Sequence, residues 1–236
     1  MDSAKPGIGQ LTERSLHGAL KEYLAQPGDQ FEVKLGRYVI DIIRGDLLIE
    51  IQTRHLYALR PKLRRLLEDY RVHLIHPLPH ERRIVREARD GGLTRRQSPK
   101  HAAAHDIFTE LVRIPDLAAH PNLTLEVLLI HEEQVWRDDG QGSWRRGHWS
   151  LIDRRLLGVR QSAVFTQPAD YLALLPPLPE PFTNADLAAA KGWNGHLAGK
   201  ATYALRAMGL LDLVGKHGRT HVYCIHSGVD PQDSVG

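Results

Sequence analysis

The stretch GRYVIDIIRGDLLIEIQT, residues 36–53, predicts a β-hairpin. Two runs rich in isoleucine, valine and leucine flank Gly45 and Asp46, and glycine at the first central position favours a two-residue type II′ turn. That turn fixes a register in which Asp41 lies directly opposite Glu50 on the neighbouring strand. Two like charges at opposed positions destabilise a sheet. The hairpin therefore carries an unfavourable pair that a bound cation would make favourable.

The two faces of this hairpin are predicted to differ. Side chains alternate between the faces of a strand, so Asp41, Glu50 and Gln52 share one face, with Val39 beside them. The other face is predicted to be core and is formed by Ile40, Ile42, Ile49 and Ile51. Hard cations such as Mg²⁺ prefer carboxylate and carbonyl oxygens. The acidic face is a candidate metal site, and the alternative is a solvated sheet face with two ordinary acids.

The composition fits a globular protein of one large or two modest domains. The chain has 236 residues, 42% of them hydrophobic, and no apolar run long enough for a membrane span. The first ten residues contain no apolar stretch typical of a signal peptide. One cysteine, Cys224, excludes an intrachain disulfide framework. These features predict a cytoplasmic protein without a membrane partner.

Outside the hairpin, hydrophobic periodicity and turn residues predict the remaining elements. Helices are expected at 11–25, 55–69 and near 104–112, strands at 31–43, 47–53, 71–78, 82–88 and 123–130, and loops at 90–101 and 138–150. Four prolines between residues 174 and 181 predict a linker. The expected domains are therefore 1–173 and 182–236. The second domain is predicted to contain two short helices and a hairpin with Gly215 and Gly218 in its turn.

The order of these elements resembles the PD-(D/E)XK nuclease superfamily. Its signature is an aspartate, a gap, and then Glu-x-Lys on adjacent strands, often preceded by a glutamate in an N-terminal helix. Asp41 and Glu50-Ile51-Gln52 match it, and the matching region covers residues 11–78. The resemblance implies an α/β (α+β) restriction-endonuclease-like core, with a mixed central sheet flanked by helices. The order of helices and hairpin after the linker is similar to a winged helix-turn-helix domain.

The resemblance also implies metal-dependent hydrolysis of DNA phosphodiester bonds, with Mg²⁺ or Mn²⁺ as cofactor. Asp41, Glu50 and the Ile51 carbonyl would hold the metal, and Glu13 would be the helix-borne carboxylate. His17, one turn after Glu13, would contact phosphate or orient a ligand, and Lys21 shares the same helix face. Two acids compete with Glu13 for the helix-borne position: Glu22 and Glu32.

The chain departs from the signature at one position. Gln52 stands where the superfamily usually has lysine, and Lys62 on the following helix is the candidate for a lysine that has moved. Such a residue would hold the attacking water or stabilise charge on the phosphate. If neither residue serves, the chain is a catalytically inactive, nuclease-fold DNA-binding regulator or partner subunit.

Basic residues concentrate in the middle of the chain. Residues 54–113 hold 14 Lys and Arg against 7 Asp and Glu, which favours a partner with many phosphates or reflects a genome that prefers arginine. The candidate phosphate-binding residues there are Arg82, Arg83, Arg95, Arg96 and Lys100. Arg145 and Arg146, between Trp144 and Trp149, form either a base-stacking element or a loop pinned by two aromatic residues. His73 and His76 alternate on one strand, which favours ordinary packing over a metal site.

The C-terminal domain offers a second candidate DNA surface. Winged helices bind DNA through a helix in the major groove and a wing on the backbone, and others mediate protein contacts or form homodimers. The candidate contacts are Lys200 and Arg206, with His196, on the helices, and Lys216 and Arg219, with His217, on the wing.

Overall fold

The computed structural model describes residues 8–227, with side chains from Ser15 onward. The helices are α1 (Ile8–Leu24), α2 (Arg60–Leu66), α3 (Phe108–Leu111), α4 (Pro115–Ala118), α5 (Asn184–Lys191) and α6 (Gly195–Ala207). The strands are β1 (Gln30–Leu35), β2 (Tyr38–Arg44), β3 (Leu47–Ile51), β4 (Arg71–Glu87), β5 (Leu93–Gln97), β6 (Leu123–Asp138), β7 (Trp149–Phe165), β8 (Phe182–Thr183), β9 (Leu211–His217) and β10 (Thr220–Ile225). No helix within the described range is long and apolar enough to span a membrane.

A mixed sheet forms the centre of the described chain. Its strand order is β1-β2-β3-β4-β6-β7, and β5 pairs with the far part of β4. The first three strands form an antiparallel meander, β3, β4 and β6 are parallel, and β7 returns antiparallel to β6. Helix α1 packs on one side of the sheet and α2 on the other. The predicted mixed α/β sheet flanked by helices is confirmed.

The hairpin has the predicted register from Ile42 to Arg44, but the predicted pairing of Asp41 with Glu50 does not form and the predicted faces differ. Ile42 pairs with Ile49, and Gly45 at the turn has a φ of 57°. Ile42 and Ile49 pack against Leu16 and Leu20 of α1, together with Ile51. Ile40 instead packs on the opposite side, with the core that includes α2. The pairing of β2 with β3 stops at Ile42, and Ile40 and Ile42 pack into different cores, so the hairpin contributes buried side chains to both sides of the sheet.

The prediction of one strand over 31–43 was wrong, because Gly36 lies in a turn between β1 and β2. Its φ of 57° is readily adopted by glycine. The separate strands 71–78 and 82–88 are in fact one strand, β4. Pro77 and Pro79 are tolerated there because the pairing with β3 ends at Ile75 and that with β5 begins at Arg83. Between those points β4 pairs only with β6 among the described strands. Its other edge has no strand partner there, so a proline, which lacks an N–H, interrupts no hydrogen bonds on that edge.

Two strands of the central sheet were missed in the sequence. The expected loop 90–101 contains β5, an exposed edge strand that pairs with β4. Strand β7, with 17 residues, was not predicted at all. Strands β4, β6 and β7 extend well past the end of β3, so they form an extension of the sheet with β5 at its side. The space between this extension and the chain after β3 becomes a groove.

The C-terminal residues form a second, smaller sheet with two helices. Its strand order is β8-β10-β9, and Thr183 caps the N-terminus of α5, with its hydroxyl accepting a hydrogen bond from the Asp186 N–H. Gly215 lies within β9, so the turn of this hairpin is at Gly218. Trp193 lies 4.6 Å from the ring of His105, measured between ring centroids, and packs in the same core as α3. The C-terminal unit is therefore packed against the first one; the residue limits of the two domains remain a prediction.

Candidate functional site

Asp41 is held by contacts from two elements. The Ile51 N–H donates to its Oδ2 at 2.9 Å, and His17 Nε2 of α1 lies 3.1 Å from the same oxygen. Lys21 Nζ lies 3.9 Å from Oδ1 and 2.9 Å from Glu32. Burial alone would raise the pKa of Asp41, but His17, the Ile51 N–H and Lys21 together outweigh it, so the pKa is lowered. Asp41 is therefore ionised at neutral pH.

Glu50 is almost completely buried, with 3% of its surface exposed. Burial raises its pKa to about 7, against the opposing effect of the Lys62 ammonium, and the negative charge of Asp41 raises it further. The carboxyl group of Glu50 therefore changes from its protonated to its ionised form near neutral pH. A carboxyl group in this state binds a cation most strongly once the proton has left.

Lys62 reaches the hairpin from α2. Its Nζ lies 2.6 Å from Glu50 Oε1 and donates to the Val39 carbonyl oxygen at 2.6 Å. Pro61 opens the first turn of α2, where its missing N–H has no intrahelical partner to lose. This helix start, close to the end of β3, places Lys62 beside the strand pair. The structure thus brings the candidate moved lysine to Glu50, whereas the charged partners of Asp41 are His17 and Lys21 of α1.

Gln52 does not join this group in the described structure. Its side-chain amide donates to the backbone carbonyl of His55 at 3.3 Å. The backbone carbonyl of Gln52 accepts a hydrogen bond from His76 Nδ1 at 2.6 Å. Burial lowers the pKa of His76, so this ring is neutral at neutral pH. His55 has a φ of 30°, which marks a sharp change of chain direction after β3. The position that usually carries lysine here stabilises this turn.

The oxygens at the hairpin suit a hard divalent cation. Asp41 and Glu50 provide carboxylates, and Ile51 provides a carbonyl between them and the turn. Glu50 Oε1 is buried, and the Lys62 ammonium lies 2.6 Å from it, at hydrogen-bond distance. The described residues contain no group of three or more His, Cys, Asp or Glu placed for a metal. The side chain of Glu13, predicted as a ligand, lies outside the described residues.

The basic residues of the middle segment lie in two environments. Arg82 is turned inward, with Nε donating to Glu132 at 2.6 Å, and Arg83 lies 3.7 Å from Glu133. The remaining three are exposed on β5 and just after it: Arg95, Arg96 and Lys100. Arg82 therefore belongs to an internal network, whereas the β5 residues form an open basic surface.

The C-terminal candidates lie on the outer side of their unit. His196 and Arg206 are exposed on α6 and Lys200 is half-buried between them; Tyr203, which was not a candidate, lies exposed on the same helix face. The wing candidates are exposed near the turn between β9 and β10: Lys216, His217 and Arg219. The inner face of α6 packs on α3 and α4 through small and apolar residues.

Several residues around the hairpin were not assigned to the site from the sequence. Lys21 contacts Asp41, and its four-residue spacing from His17 is the signal that points to it. His73 binds Glu126, with its Nε2 2.9 Å from the carboxylate, as ordinary packing predicts. Arg154 and Glu132 form a buried pair that no local pattern indicates, because 22 residues separate them.

Comparison with known proteins identifies the family of this chain, and the descriptions of the matching family and protein name no activity. A family model described as a domain of unknown function, DUF8091, matches residues 14–166. A protein of Treponema pallidum (strain Nichols), described as an uncharacterized protein, is 34% identical over 223 residues, which cover 92% of this chain and 86% of that protein. No solved structure matches.

Proposed function

We propose that this chain, which belongs to the DUF8091 family, is a metal-dependent DNA endonuclease. One observation carries the proposal: Lys62 lies 2.6 Å from Glu50, while Asp41 accepts a hydrogen bond from Ile51, the next residue after Glu50. An aspartate of β2, a glutamate of β3 and a lysine of α2 therefore lie at one hairpin, with Asp41 contacted by α1 and Glu50 by α2. Their residue types and order are those of the PD-(D/E)XK signature, with the lysine supplied by α2.

The order of elements around the hairpin supports the same proposal. Helix α1, the meander β1-β2-β3, helix α2 and the parallel strand β4 follow each other in the chain, and the four strands belong to one sheet. This order agrees with the one expected of a restriction-endonuclease-like core, and we propose that the sheet and its two helices form such a core. The β8–β10 unit, with α5 and α6 between its first two strands, is proposed to be a winged helix.

Each residue of the site has a proposed role in hydrolysis. A bound Mg²⁺ would polarise the scissile phosphate and lower the pKa of a water molecule. Asp41, Glu50 and the Ile51 carbonyl would hold it, and His17 and Lys21 keep the Asp41 carboxylate ionised and oriented. Lys62 would neutralise charge that develops on the phosphate, since its ammonium already lies against Glu50.

The basic surfaces are proposed to hold the DNA backbone. Arg95, Arg96 and Lys100 lie exposed on and after β5, and contacts of this kind add salt-dependent affinity without sequence readout. The outer face of α6 and the wing would add a second contact region, through Lys200, Arg206, Lys216 and Arg219.

The test is cleavage of plasmid and branched DNA with Mg²⁺ or Mn²⁺. We expect metal-dependent cleavage that Asp41→Ala and Glu50→Ala each abolish. Asp46→Ala is the matched control, because Asp46 lies in the same hairpin, is exposed, and binds only Arg71 among the described residues. Cleavage that survives both site substitutions contradicts the proposal.

The position of Gln52 favours one second candidate, an inactive DNA-binding member of the same fold. Its amide is bonded to the chain after β3 instead of facing the carboxylates. Calorimetric titration with Mn²⁺ separates the two candidates. Metal binding that Glu50→Ala removes supports the nuclease, whereas DNA binding without metal binding or cleavage supports the regulator.

A further inference from the structure

A groove of 420 Å³ opens where β3 ends, beneath the extension formed by β4, β6 and β7. Apolar surface from Pro77, Pro79 and Leu151 forms part of its wall. The charged side chains that line it, among the described residues, are the carboxylate of Glu110 and four arginines: Arg54, Arg82, Arg146 and Arg154. A groove with this excess of positive charge attracts an anion.

A buried network fixes two of these arginines. Arg82 Nε donates to Glu132 Oε1 at 2.6 Å, and Arg154 donates to Glu132 Oε2 through Nε at 3.0 Å and Nη2 at 2.6 Å. Glu132 has no exposed surface and the Arg154 side chain has 7%. One carboxylate thus opposes two guanidinium groups. The positive charge left over is poorly hydrated, so an anion in the groove would stabilise it.

Arg82 is oriented to take such an anion. Its Nε is occupied by Glu132, while neither terminal nitrogen has an acceptor among the described residues. The side chain lines the groove and is 26% exposed. A guanidinium fork held in this way matches the geometry of a phosphate group.

A planar surface lies in the same groove. Trp136 is held by a hydrogen bond from its indole N–H to Gln134 Oε1 at 3.2 Å, and Gln134 in turn donates to Glu132 at 2.8 Å. The Arg146 guanidinium lies 5.2 Å from the centre of the Trp136 ring. Tryptophan and arginine planes are the surfaces on which unpaired bases stack.

We propose that this groove binds one unpaired nucleotide of a nucleic-acid strand, with its phosphate on Arg82 and Arg154 and its base against Trp136. The nucleotide would lie beside the carboxylate hairpin, because His76 lines the groove and donates to the carbonyl of Gln52, two residues after Glu50. This inference rests on the proposed nuclease function and names its substrate class. The substrate is DNA with unpaired nucleotides near the cut, such as a flap, a gap or a single-stranded end.

The test is calorimetric titration of the full chain in EDTA with deoxyadenosine monophosphate, inorganic phosphate and deoxyadenosine. We expect the nucleotide to bind most tightly. Trp136→Leu should weaken nucleotide binding about tenfold, the effect of losing one stacked base, and leave phosphate binding unchanged. Arg146→Gln should also weaken nucleotide binding, and because Arg146 is exposed this variant keeps the test valid if Trp136→Leu does not fold.

Arg145→Gln is the matched control, since Arg145 is also exposed but lies over Trp144, 5.4 Å from its ring centre. Its nucleotide affinity should equal that of the wild type. Equal binding of phosphate and nucleotide, unaffected by Trp136→Leu and Arg146→Gln, reduces the groove to an anion site and overturns the proposal. Absence of binding overturns it as well.

The outcomes for the groove and for the nuclease are separable. The titration in EDTA requires no cleavage, and Asp41→Ala should bind the nucleotide as the wild type does. Metal-dependent cleavage without nucleotide binding contradicts the groove alone. Nucleotide binding without any cleavage contradicts the proposed nuclease alone.

Discussion

Glu50 and Glu132 are both buried glutamates of the central sheet, yet their surroundings differ. Glu132 accepts hydrogen bonds from Arg82, Arg154 and Gln134, so each of its oxygens is occupied. Glu50 lies against the Lys62 ammonium and beside the like charge of Asp41, and burial raises its pKa to about 7. The comparison shows that burial alone does not assign a role. A carboxylate enclosed by three donor side chains stabilises the fold, whereas Glu50, which lies against a single ammonium group among the described side chains, is the carboxylate that we propose as a cation ligand.

The largest effect is expected at Glu132. Glu132→Ala leaves the Arg154 guanidinium buried without its partner, so the free energy of unfolding should fall by about 3–5 kcal/mol. Equilibrium unfolding in urea measures this loss in the free energy of unfolding. Glu133→Ala is the control, because Glu133 contacts Arg83 and Arg155, which are exposed, and should cost less than about 1 kcal/mol. Equal losses in the two variants would contradict a structural role for Glu132.

A smaller effect, on cleavage rather than on stability, is expected at Lys62. Lys62→Met removes the ammonium that lies against Glu50, so the cleavage rate should fall about 100-fold, the usual cost of losing one charge-stabilising group. Gln52→Ala should change it less than about threefold, a difference below 1 kcal/mol in activation free energy. Single-turnover rates with Mn²⁺ give both values. A larger loss in Gln52→Ala than in Lys62→Met would contradict the role proposed for Lys62 and would favour Gln52 as the catalytic residue.

The pH dependence of stability should distinguish Glu50 directly. Folded Glu50 keeps its proton up to about pH 7, whereas in the unfolded chain its pKa is 4.5. The folded state therefore binds more protons between these values, so stability falls as the pH rises through this window, by about 3 kcal/mol in total. Glu50→Gln should remove this fall. His76, whose pKa is lowered by burial, acts in the opposite direction, so the difference between wild type and variant is the quantity to measure.

The affinity for Mn²⁺ should depend on pH through the proton of the Glu50 carboxyl group. Because a carboxylate must lose its proton to hold Mn²⁺, the affinity should rise about tenfold between pH 6 and pH 8 if Glu50 titrates near 7. Calorimetric titration at both values measures this change. An affinity that stays constant over this range contradicts Glu50 as a ligand, since Asp41, with its lowered pKa, is ionised throughout.

Much of the hairpin followed from local sequence, whereas its surroundings did not. The Gly45 turn and the apolar runs gave the register between Ile42 and Ile49, which the structure confirms. The turn at Gly36 was missed because the apolar pattern continues on both sides of a single glycine. Strand β7 was missed because its residues are mostly polar or half-buried, without the strict alternation that marks a strand.

The sequence by itself determined the mixed α/β class, the hairpin register and the pair of acids within it, because turn chemistry and side-chain alternation act over a few residues. The tertiary structure decided which lysine meets Glu50, since the path from β3 to α2 brings Lys62 back to the strand while Gln52 turns away. It also decided that Glu132 is enclosed by Arg82 and Arg154, residues 50 and 22 positions away. Contacts over such separations depend on strand order, which no local pattern in one sequence specifies.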